Sequence, residues 1–245
     1  MLSNEEQTLY SRNILVPQIG PSGQQKLKEA RVAVIGAGGL GSPALQYLAG
    51  AGVGHITIID GDFVDLSNLN RQTIHDIDEV GVNKAANAVH RLSKINPYIQ
   101  VYSVNQFLDD NNYNDALQGH DLILDCTDGM QTKLSILRYA QTLNIPLVHA
   151  GVVGTQGQVM VIVPHKTSCF ACIIEDDAHM NLISCSEGGI IGAVAGIVGS
   201  MMVLEAIKYI VGVKQKPNMM YFYDGITNRL TQMEIKKKAG CKYCQ

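Results

Sequence analysis

The chain has 245 residues, 46% of them hydrophobic, which suits one large α/β domain with a sizeable core, or one and a half domains. Its net charge of −3 at pH 7 argues against a general basic field for nucleic acid, so we expect no nucleic-acid partner. The first residues lack a basic segment followed by an apolar one, and we therefore expect a cytoplasmic protein. In that compartment, six cysteines indicate metal or redox chemistry rather than structural disulfides.

The N-terminal stretch, residues 3–30, predicts two short helical pieces with Tyr10 to Asn13 between them. Arg12 lies in this connection, outside the glycine-rich pattern of residues 31–60. Taken alone, an arginine at such a position is expected to be a solvated surface charge.

The strongest local signal spans residues 31–60. An apolar run leads into a glycine-rich turn, a helical segment, a second apolar run and Asp60. The glycines of the turn are Gly36, Gly38, Gly39 and Gly41. This order is typical of a nucleotide-binding β-α-β unit, because glycines permit a tight turn and a close approach of phosphate to the helix start. Asp60 could bind ribose hydroxyls. An ordinary glycine-rich turn in an α/β domain is the alternative.

The residues after Asp60 are too polar and irregular for a strand. They predict a loop at the carboxyl edge of the sheet, where ligands bind in open α/β sheets. Polar groups on this loop and the next helix are Asp62, Asn68, Arg71, Gln72 and Lys84. Arg71 can donate two hydrogen bonds to phosphate, and Lys84 opposes the dipole of the predicted helix 81–96, which suggests an external anion. A capped surface loop and an ordinary surface lysine are the alternatives.

Residues 121–128 predict a buried strand that ends in polar residues, and its last residue, Asp128, falls at the same edge, where it could hold Mg²⁺. Capping of a helix at 132–143 is the alternative. Cys126 is expected to be a buried, inert thiol. Further strands, the later ones antiparallel, complete an α/β fold: a Rossmann-like, doubly wound, mainly parallel sheet with an antiparallel extension.

Two CxxC pairs lie far apart in the sequence. They are Cys169 with Cys172, and Cys241 with Cys244. Because each pair can reach one edge of a metal ion, together they predict a structural tetrahedral Zn²⁺ site that clips the C-terminal tail onto the domain. Separate redox motifs or disulfides are the alternatives.

Two other features stand between these pairs. Cys185 lies in a polar loop and is either incidental or a nucleophilic, sulfur-handling residue. The run 188–204 carries no charge, but it is short and glycine-rich for a membrane span. A buried helix, which could lie at a subunit interface, is the better interpretation, and we expect no membrane partner.

In combination these motifs resemble the ThiF/MoeB/HesA family, the bacterial relatives of ubiquitin-activating enzymes. The resemblance covers essentially the whole chain. It rests on Tyr10-Ser11-Arg12, the glycine-rich turn, Asp60 with Asp62, residues 66–72, Lys84, residues 125–128, residues 204–208 and both CxxC pairs.

The resemblance implies an enzyme that uses ATP and Mg²⁺ to adenylate the C-terminal glycine of a small ubiquitin-fold sulfur carrier protein ending in Gly-Gly. Thiamin and molybdopterin synthesis, the latter leading to the molybdenum cofactor, are the two pathways implied. By the same resemblance Arg71 and Lys84 contact phosphates, Asp128 is linked to Mg²⁺, and Asp60 is the ribose acid. Asn68 and Gln72 line the loop.

Two further roles follow from the resemblance. Arg12 matches an arginine that reaches into the neighbouring subunit's site, which implies a homodimer. Cys185 matches a cysteine that handles sulfur or forms a covalent carrier link. One departure is Gly129, which stands where the family often has asparagine.

We expect one domain over 1–245, with a helical arm at 1–30, a nucleotide-binding part at 31–150, and a carrier-binding and zinc part at 151–245. Adenylation of another carboxylate, such as a peptide or a tRNA base, remains open. So does a non-catalytic dimeric scaffold that holds nucleotide or carrier.

Overall fold

The computed structural model describes residues 1–174 and 189–244, which are built around one eight-stranded sheet. The strands are β1 (Arg31–Ile35), β2 (His55–Ile59), β3 (Gln100–Val104), β4 (Leu122–Asp125), β5 (Leu147–Val153), β6 (Gln156–Ile162), β7 (Met219–Asp224) and β8 (Arg229–Glu234). Their order in the sheet is β3-β2-β1-β4-β5-β6-β7-β8. Neighbouring strands in the part β3-β2-β1-β4-β5 pair in parallel, and those in the part β5-β6-β7-β8 pair antiparallel. The predicted Rossmann-like sheet with an antiparallel extension is confirmed.

The helices of the described residues are α1 (Asn4–Leu9), α2 (Ser11–Ile14), α3 (Gly20–Glu29), α4 (Gly41–Ala51), α5 (Lys84–Ile95), α6 (Tyr113–Leu117), α7 (Met130–Leu143) and α8 (Gly192–Val211). The N-terminal prediction was wrong in one respect. Arg12 lies inside the short helix α2 rather than in a connection. The chain is anchored just before it by Tyr10, which is 2% exposed and accepts a hydrogen bond from Asn96 at 2.7 Å.

Two apolar layers cover the sheet, because successive strand residues face opposite sides. Val32 and Val34 of β1 face the core shared with α4, α5 and α8. Ala33 and Ile35 face the second core, which contains α7 and the cysteine-bearing segments. The central strands are therefore buried on both sides, as the continuous apolar run of β1 indicates, whereas β8 at one edge is exposed along its whole length.

Helix α8 begins a few residues later than the uncharged run that predicted it. Among the described residues, α8 is the one helix that is long and apolar enough to cross a membrane. Half of its most apolar 18-residue segment is buried inside the protein. Val198 and Met202 are fully buried against the sheet, and a Cβ at Gly199 would lie 2.6 Å from the carbonyl oxygen of Leu40. The run therefore encodes a core helix packed tightly on α4, as predicted.

Candidate functional site

The glycine-rich loop joins β1 to α4, and close contacts require two of its glycines. Gly36 has φ +97°, and a Cβ there would lie 2.9 Å from the carbonyl oxygen of Cys126. A Cβ at Gly41 would lie 2.0 Å from the carbonyl oxygen of Gly36. Three N–H groups of the loop donate no hydrogen bond within the described residues; they belong to Gly38, Gly39 and Leu40. Free donors at a helix start favour the binding of an anion.

Asp60, at the end of β2, holds this loop in place. One carboxylate oxygen accepts the N–H of Ala37 at 2.8 Å, and the other accepts the N–H of Asp62 at 2.8 Å. Each oxygen keeps a second lone pair. Asp60 can therefore fix the loop and still accept a hydrogen bond from a ligand hydroxyl.

The loop after β2 is shaped by its own side chains. The Asp65 carboxylate accepts the N–H of Ser67 at 2.8 Å, and Asn68 Oδ1 accepts the N–H of Asp65 at 3.3 Å. These bonds enclose a single 3₁₀ turn, Leu66–Asn68. Asn68 therefore orients the segment that carries the next two candidate residues.

Arg71 and Gln72 lie directly beside the glycine-rich loop. A Cβ at Gly39 would be 3.6 Å from Arg71 Cγ, and a Cβ at Gly38 would be 3.5 Å from Gln72 Nε2. Arg71 Nη1 donates to the carbonyl of Ser67 at 2.9 Å. Gln72 is 5% exposed, and its Oε1 has no hydrogen-bond partner among the described residues. The fold thus brings the candidate arginine next to the free N–H groups.

Lys84 is the first residue of α5, and its Nζ lies 2.5 Å from Asp62 Oδ2. Burial opposes ionisation of Asp62, but the hydrogen bond and the charge of Lys84 outweigh it and hold the pKa of that carboxyl below its usual range. Asn83 caps α5 and donates to the carbonyls of Asp60 and Asp62 at 3.1 and 3.0 Å. A cation is thereby held at the edge where β2 ends.

Asp128 is exposed just beyond the end of β4. The alternative that it caps the following helix is wrong, since α7 begins at Met130 with Gly129 as its N-cap. The preceding residue, Thr127, lies beside the glycine-rich loop: a Cβ at Gly36 would be 3.4 Å from its nitrogen. The Asp128 carboxylate has no hydrogen-bond partner among the described residues, and such oxygens suit Mg²⁺.

A buried polar network next to Asp128 was missed by sequence reasoning. Asp125 is fully buried and accepts hydrogen bonds from Thr127 Oγ1 at 2.7 Å, His149 Nδ1 at 3.1 Å and Lys133 Nζ at 3.2 Å. Burial opposes its ionisation, yet the charge of Lys133 and these hydrogen bonds lower the pKa of Asp125 to about 2. His149 is a fully buried core histidine, and burial lowers its pKa. The network fixes the turn that leads to Asp128.

The remaining candidates lie elsewhere. Arg12 is exposed on α2, and no contact joins it to the loop within the described part of the chain. Cys185 lies outside the described residues. Cys126 is buried, as expected, and burial raises the pKa of its thiol, which disfavours the reactive thiolate.

The two CxxC pairs meet in one cluster. The Sγ atoms of Cys169, Cys172, Cys241 and Cys244 all lie within 4.8 Å of one another. Cys169 Sγ is 3.8 Å from Cys172 Sγ and from Cys241 Sγ, and Cys172 Sγ is 3.3 Å from Cys244 Sγ. A disulfide bond is about 2.05 Å long, so none joins these sulfurs.

This cluster fits a tetrahedral metal ion. Zn–S bonds of about 2.3 Å in tetrahedral geometry place sulfurs about 3.8 Å apart, as observed for two of the pairs. Burial and the neighbouring cysteines raise the pKa of Cys169, so the thiolate of Cys169 is unfavourable without a cation beside it. Phe170, between the first two cysteines, stacks on His149 with ring centroids 3.8 Å apart. The cluster therefore joins the C-terminal tail to the core.

The fold is a Rossmann-like α/β sheet with a glycine-rich loop at its carboxyl edge and four clustered cysteines that could hold a metal ion. The profile described as the ThiF family matches residues 10–243. The chain belongs to the ThiF family, which confirms the resemblance drawn from its motifs.

Its relatives include two bacterial proteins of nearly the same length. The chain is 37% identical over 245 residues to the molybdopterin-synthase adenylyltransferase of Salmonella typhimurium, covering 99% of this chain and 98% of that one. It is 38% identical over 236 residues to the sulfur carrier protein ThiS adenylyltransferase of Escherichia coli, covering 96% and 94%. Among solved structures, E. coli MccB with ATP superposes with a TM-score of 0.85 at 26% identity, covering 99% of this chain and 75% of that one.

Proposed function

We propose that the protein is an adenylyltransferase that activates the C-terminal carboxylate of a small ubiquitin-fold sulfur carrier ending in Gly-Gly, with ATP as the second substrate. The observation that carries this proposal is the meeting of free loop N–H groups with Arg71 and Lys84 at one sheet edge. Two relatives named as adenylyltransferases, aligned over nearly their whole lengths, support it.

This arrangement suits a triphosphate better than a redox dinucleotide. A carrier carboxylate oxygen attacks the α-phosphorus, the bond from that phosphorus to the bridging oxygen breaks, and pyrophosphate leaves with the electron pair. Cations close to the phosphates neutralise the charge that would otherwise repel the incoming carboxylate. In this scheme Arg71 and Lys84 hold phosphate oxygens, and Asp60 accepts from a ribose hydroxyl.

Asp128 is the proposed Mg²⁺ ligand, because its exposed carboxylate has no partner within the described residues and lies at the same edge. Bound Mg²⁺ would supply further charge neutralisation. Gly129, where the family often has asparagine, adds no side chain there. Zn²⁺ in the four-cysteine cluster would be structural, since four thiolates leave no open position.

We also propose a homodimer. A depression of about 880 Å³ lies between α4 and α8, and its lining includes Tyr47, which is 60% exposed, and Leu204, which is 57% exposed. Gly196 and Ser200 on α8 allow a neighbouring helix to approach. Thr73, close in sequence to Arg71, also borders the depression. In the dimer that the family resemblance implies, the Arg12 of one subunit reaches the nucleotide site of the other.

Within the single domain, residues 31–150 carry the nucleotide site and residues 151–245 the cysteine cluster. We assign carrier binding to the second part, and to Cys185 a sulfur-handling or covalent role. The cytoplasm is the expected compartment. The carrier's identity decides between thiamin and molybdopterin synthesis.

The experiment that tests the proposal is ATP–pyrophosphate exchange with purified Gly-Gly carriers. We expect exchange only when a carrier is present, and none with the same carrier lacking its terminal glycine. A short peptide ending in a free carboxylate is the competing substrate to include. Exchange without any carrier, or none with several carriers, would contradict the proposal.

A further inference from the structure

His75 holds the Ala37 carbonyl from one side of the glycine-rich loop. His75 is 5% exposed, with its Nε2 3.0 Å from the Ala37 oxygen and its Nδ1 2.7 Å from Asn87 Nδ2. Because a carbonyl oxygen only accepts, Nε2 carries the proton and Nδ1 accepts from Asn87. Asn87 Nδ2 also donates to Glu79 Oε2 at 2.7 Å. Both ring nitrogens of the neutral imidazole are thus satisfied.

The other polar group of Ala37 is fixed as well, since its N–H donates to Asp60 at 2.8 Å. In a trans peptide the C=O and N–H point in opposite directions. Fixing the Ala37 carbonyl on His75 therefore aims the N–H of Gly38 away from the histidine. That N–H is one of the free donors of the loop.

We propose that His75 is a positioning residue for phosphate binding: it sets the Ala37–Gly38 peptide so that the Gly38 N–H faces an incoming anion. The proposal rests on the proposed function, because it requires a phosphate-bearing ligand at this loop. Ala37 is fully buried, so loss of the imidazole would leave its carbonyl without a partner. The peptide would then be free to rotate, which turns an oxygen toward the phosphates.

The test compares three variants for equilibrium binding of ATP and of adenosine, with thermal unfolding as a check on the fold. His75→Phe keeps a ring of similar size and removes both hydrogen bonds. His75→Gln restores a side-chain donor toward Ala37. His90→Phe is the matched control, because His90 is an exposed residue on the same helix as Asn87.

We expect His75→Phe to weaken ATP binding roughly tenfold or more while adenosine binding stays unchanged. His75→Gln should recover most of the loss, and His90→Phe should behave as the parent protein. In exchange assays the KM for ATP should rise with little change in kcat or in the KM for the carrier. A purely structural role would weaken adenosine and ATP together.

Several results would overturn the proposal. They are equal losses for ATP and adenosine, no recovery in His75→Gln, unchanged ATP binding in His75→Phe, or an Nδ1–H tautomer of His75 in ¹⁵N NMR of the free protein. Failure of the proposed function has a different signature. A protein that binds ATP but shows no carrier-dependent exchange would reject that function and leave the comparison of ATP with adenosine valid.

Discussion

The ammonium nitrogen of Lys84 lies 2.5 Å from a carboxylate oxygen of Asp62, with the lysine side chain 6% exposed and the aspartate side chain 57% exposed. The buried partner is therefore the cation, and the exposed partner can rotate away into water. A phosphate could take the place of Asp62 without leaving a buried carboxylate behind.

Lys84→Met should consequently spare the fold and remove activity. Methionine has a similar length, and the released Asp62 stays hydrated. We expect carrier-dependent exchange to fall about 100-fold or more, as for loss of one transition-state donor. Lys94→Met, an exposed lysine on the same helix, is the control. Retention of full exchange in Lys84→Met would remove Lys84 from the proposed phosphate site.

Asp128→Asn tests the proposed Mg²⁺ ligand. The change removes a charge without changing the size of an exposed side chain, so thermal stability should be unaffected. Exchange should fall by about 100-fold or more, and part of the loss should return at high Mg²⁺. Asp115→Asn, an exposed aspartate on α6, should keep its activity. An unchanged Mg²⁺ dependence in Asp128→Asn would argue for a different ligand.

Mixing two inactive variants tests whether Arg12 acts across a dimer. Arg12→Ala and Asp128→Ala should each be inactive alone. In a mixed dimer one site combines an intact Asp128 with the partner's intact Arg12, so random exchange of subunits should restore about a quarter of the parent activity. Leu204→Glu should abolish this recovery by preventing association, as light scattering would show. No recovery from subunits shown to have exchanged would place Arg12 outside the neighbour's site.

The buried pair of Asp125 and Lys133 predicts a pH-dependent stability. Because the pKa of Asp125 is lowered to about 2, its charged form contributes stability above its unfolded pKa, and this is lost as pH falls from about 4 to about 2. That contribution is on the order of 2 kcal/mol. Lys133→Met leaves the carboxylate buried and unpaired, so urea unfolding at pH 7 should show a loss of about 3–5 kcal/mol.

The difference in free energy of unfolding between Lys133→Met and the parent protein should be smaller at pH 4.5 than at pH 7. The unpaired Asp125 of the variant takes up a proton more readily than Asp125 of the parent protein. Lys166→Met, at an exposed lysine, should show no deficit at either pH. A deficit that is the same at both pH values would mean that packing, rather than charge, explains the effect.

Metal removal should act on the C-terminal tail first. We expect one Zn²⁺ per chain, lost in Cys172→Ser and retained in Cys126→Ala, as measured by elemental analysis. Loss of the metal should lower the unfolding temperature by roughly 5–10 °C and expose residues 236–244 to proteolysis. A metal-free parent protein with a protected tail would contradict a structural metal site.

Sequence patterns predicted the parts of this molecule that show a regular apolar periodicity or a short, specific motif. Apolar runs separated by a helix-like segment predicted β1, α4 and β2, and paired CxxC motifs predicted the cysteine cluster. Boundaries were less accurate, because capping by Asn83 or Gly129 depends on local geometry rather than on periodicity.

The positioning residues were missed for a different reason. Asp125, Lys133 and His149 come from three separate elements, and His75 meets Ala37 only after β1 and α5 have packed. A single histidine or lysine has no spacing that sets it apart in the sequence. What marks these residues is burial together with hydrogen bonds between distant segments, and that becomes visible only in the folded chain.

The contacts of Gly36 and Gly39 bear on the order in which the chain folds. The glycine-rich motif is encoded within about ten residues, but Gly36 fits against Cys126, and a Cβ at Gly39 would lie 3.5 Å from Ala195. Nearly 160 residues of chain separate Gly39 from Ala195 on α8. The contacts that shape this loop are therefore complete only when segments distant in the sequence have docked, and an N-terminal fragment that carries the entire motif would lack them.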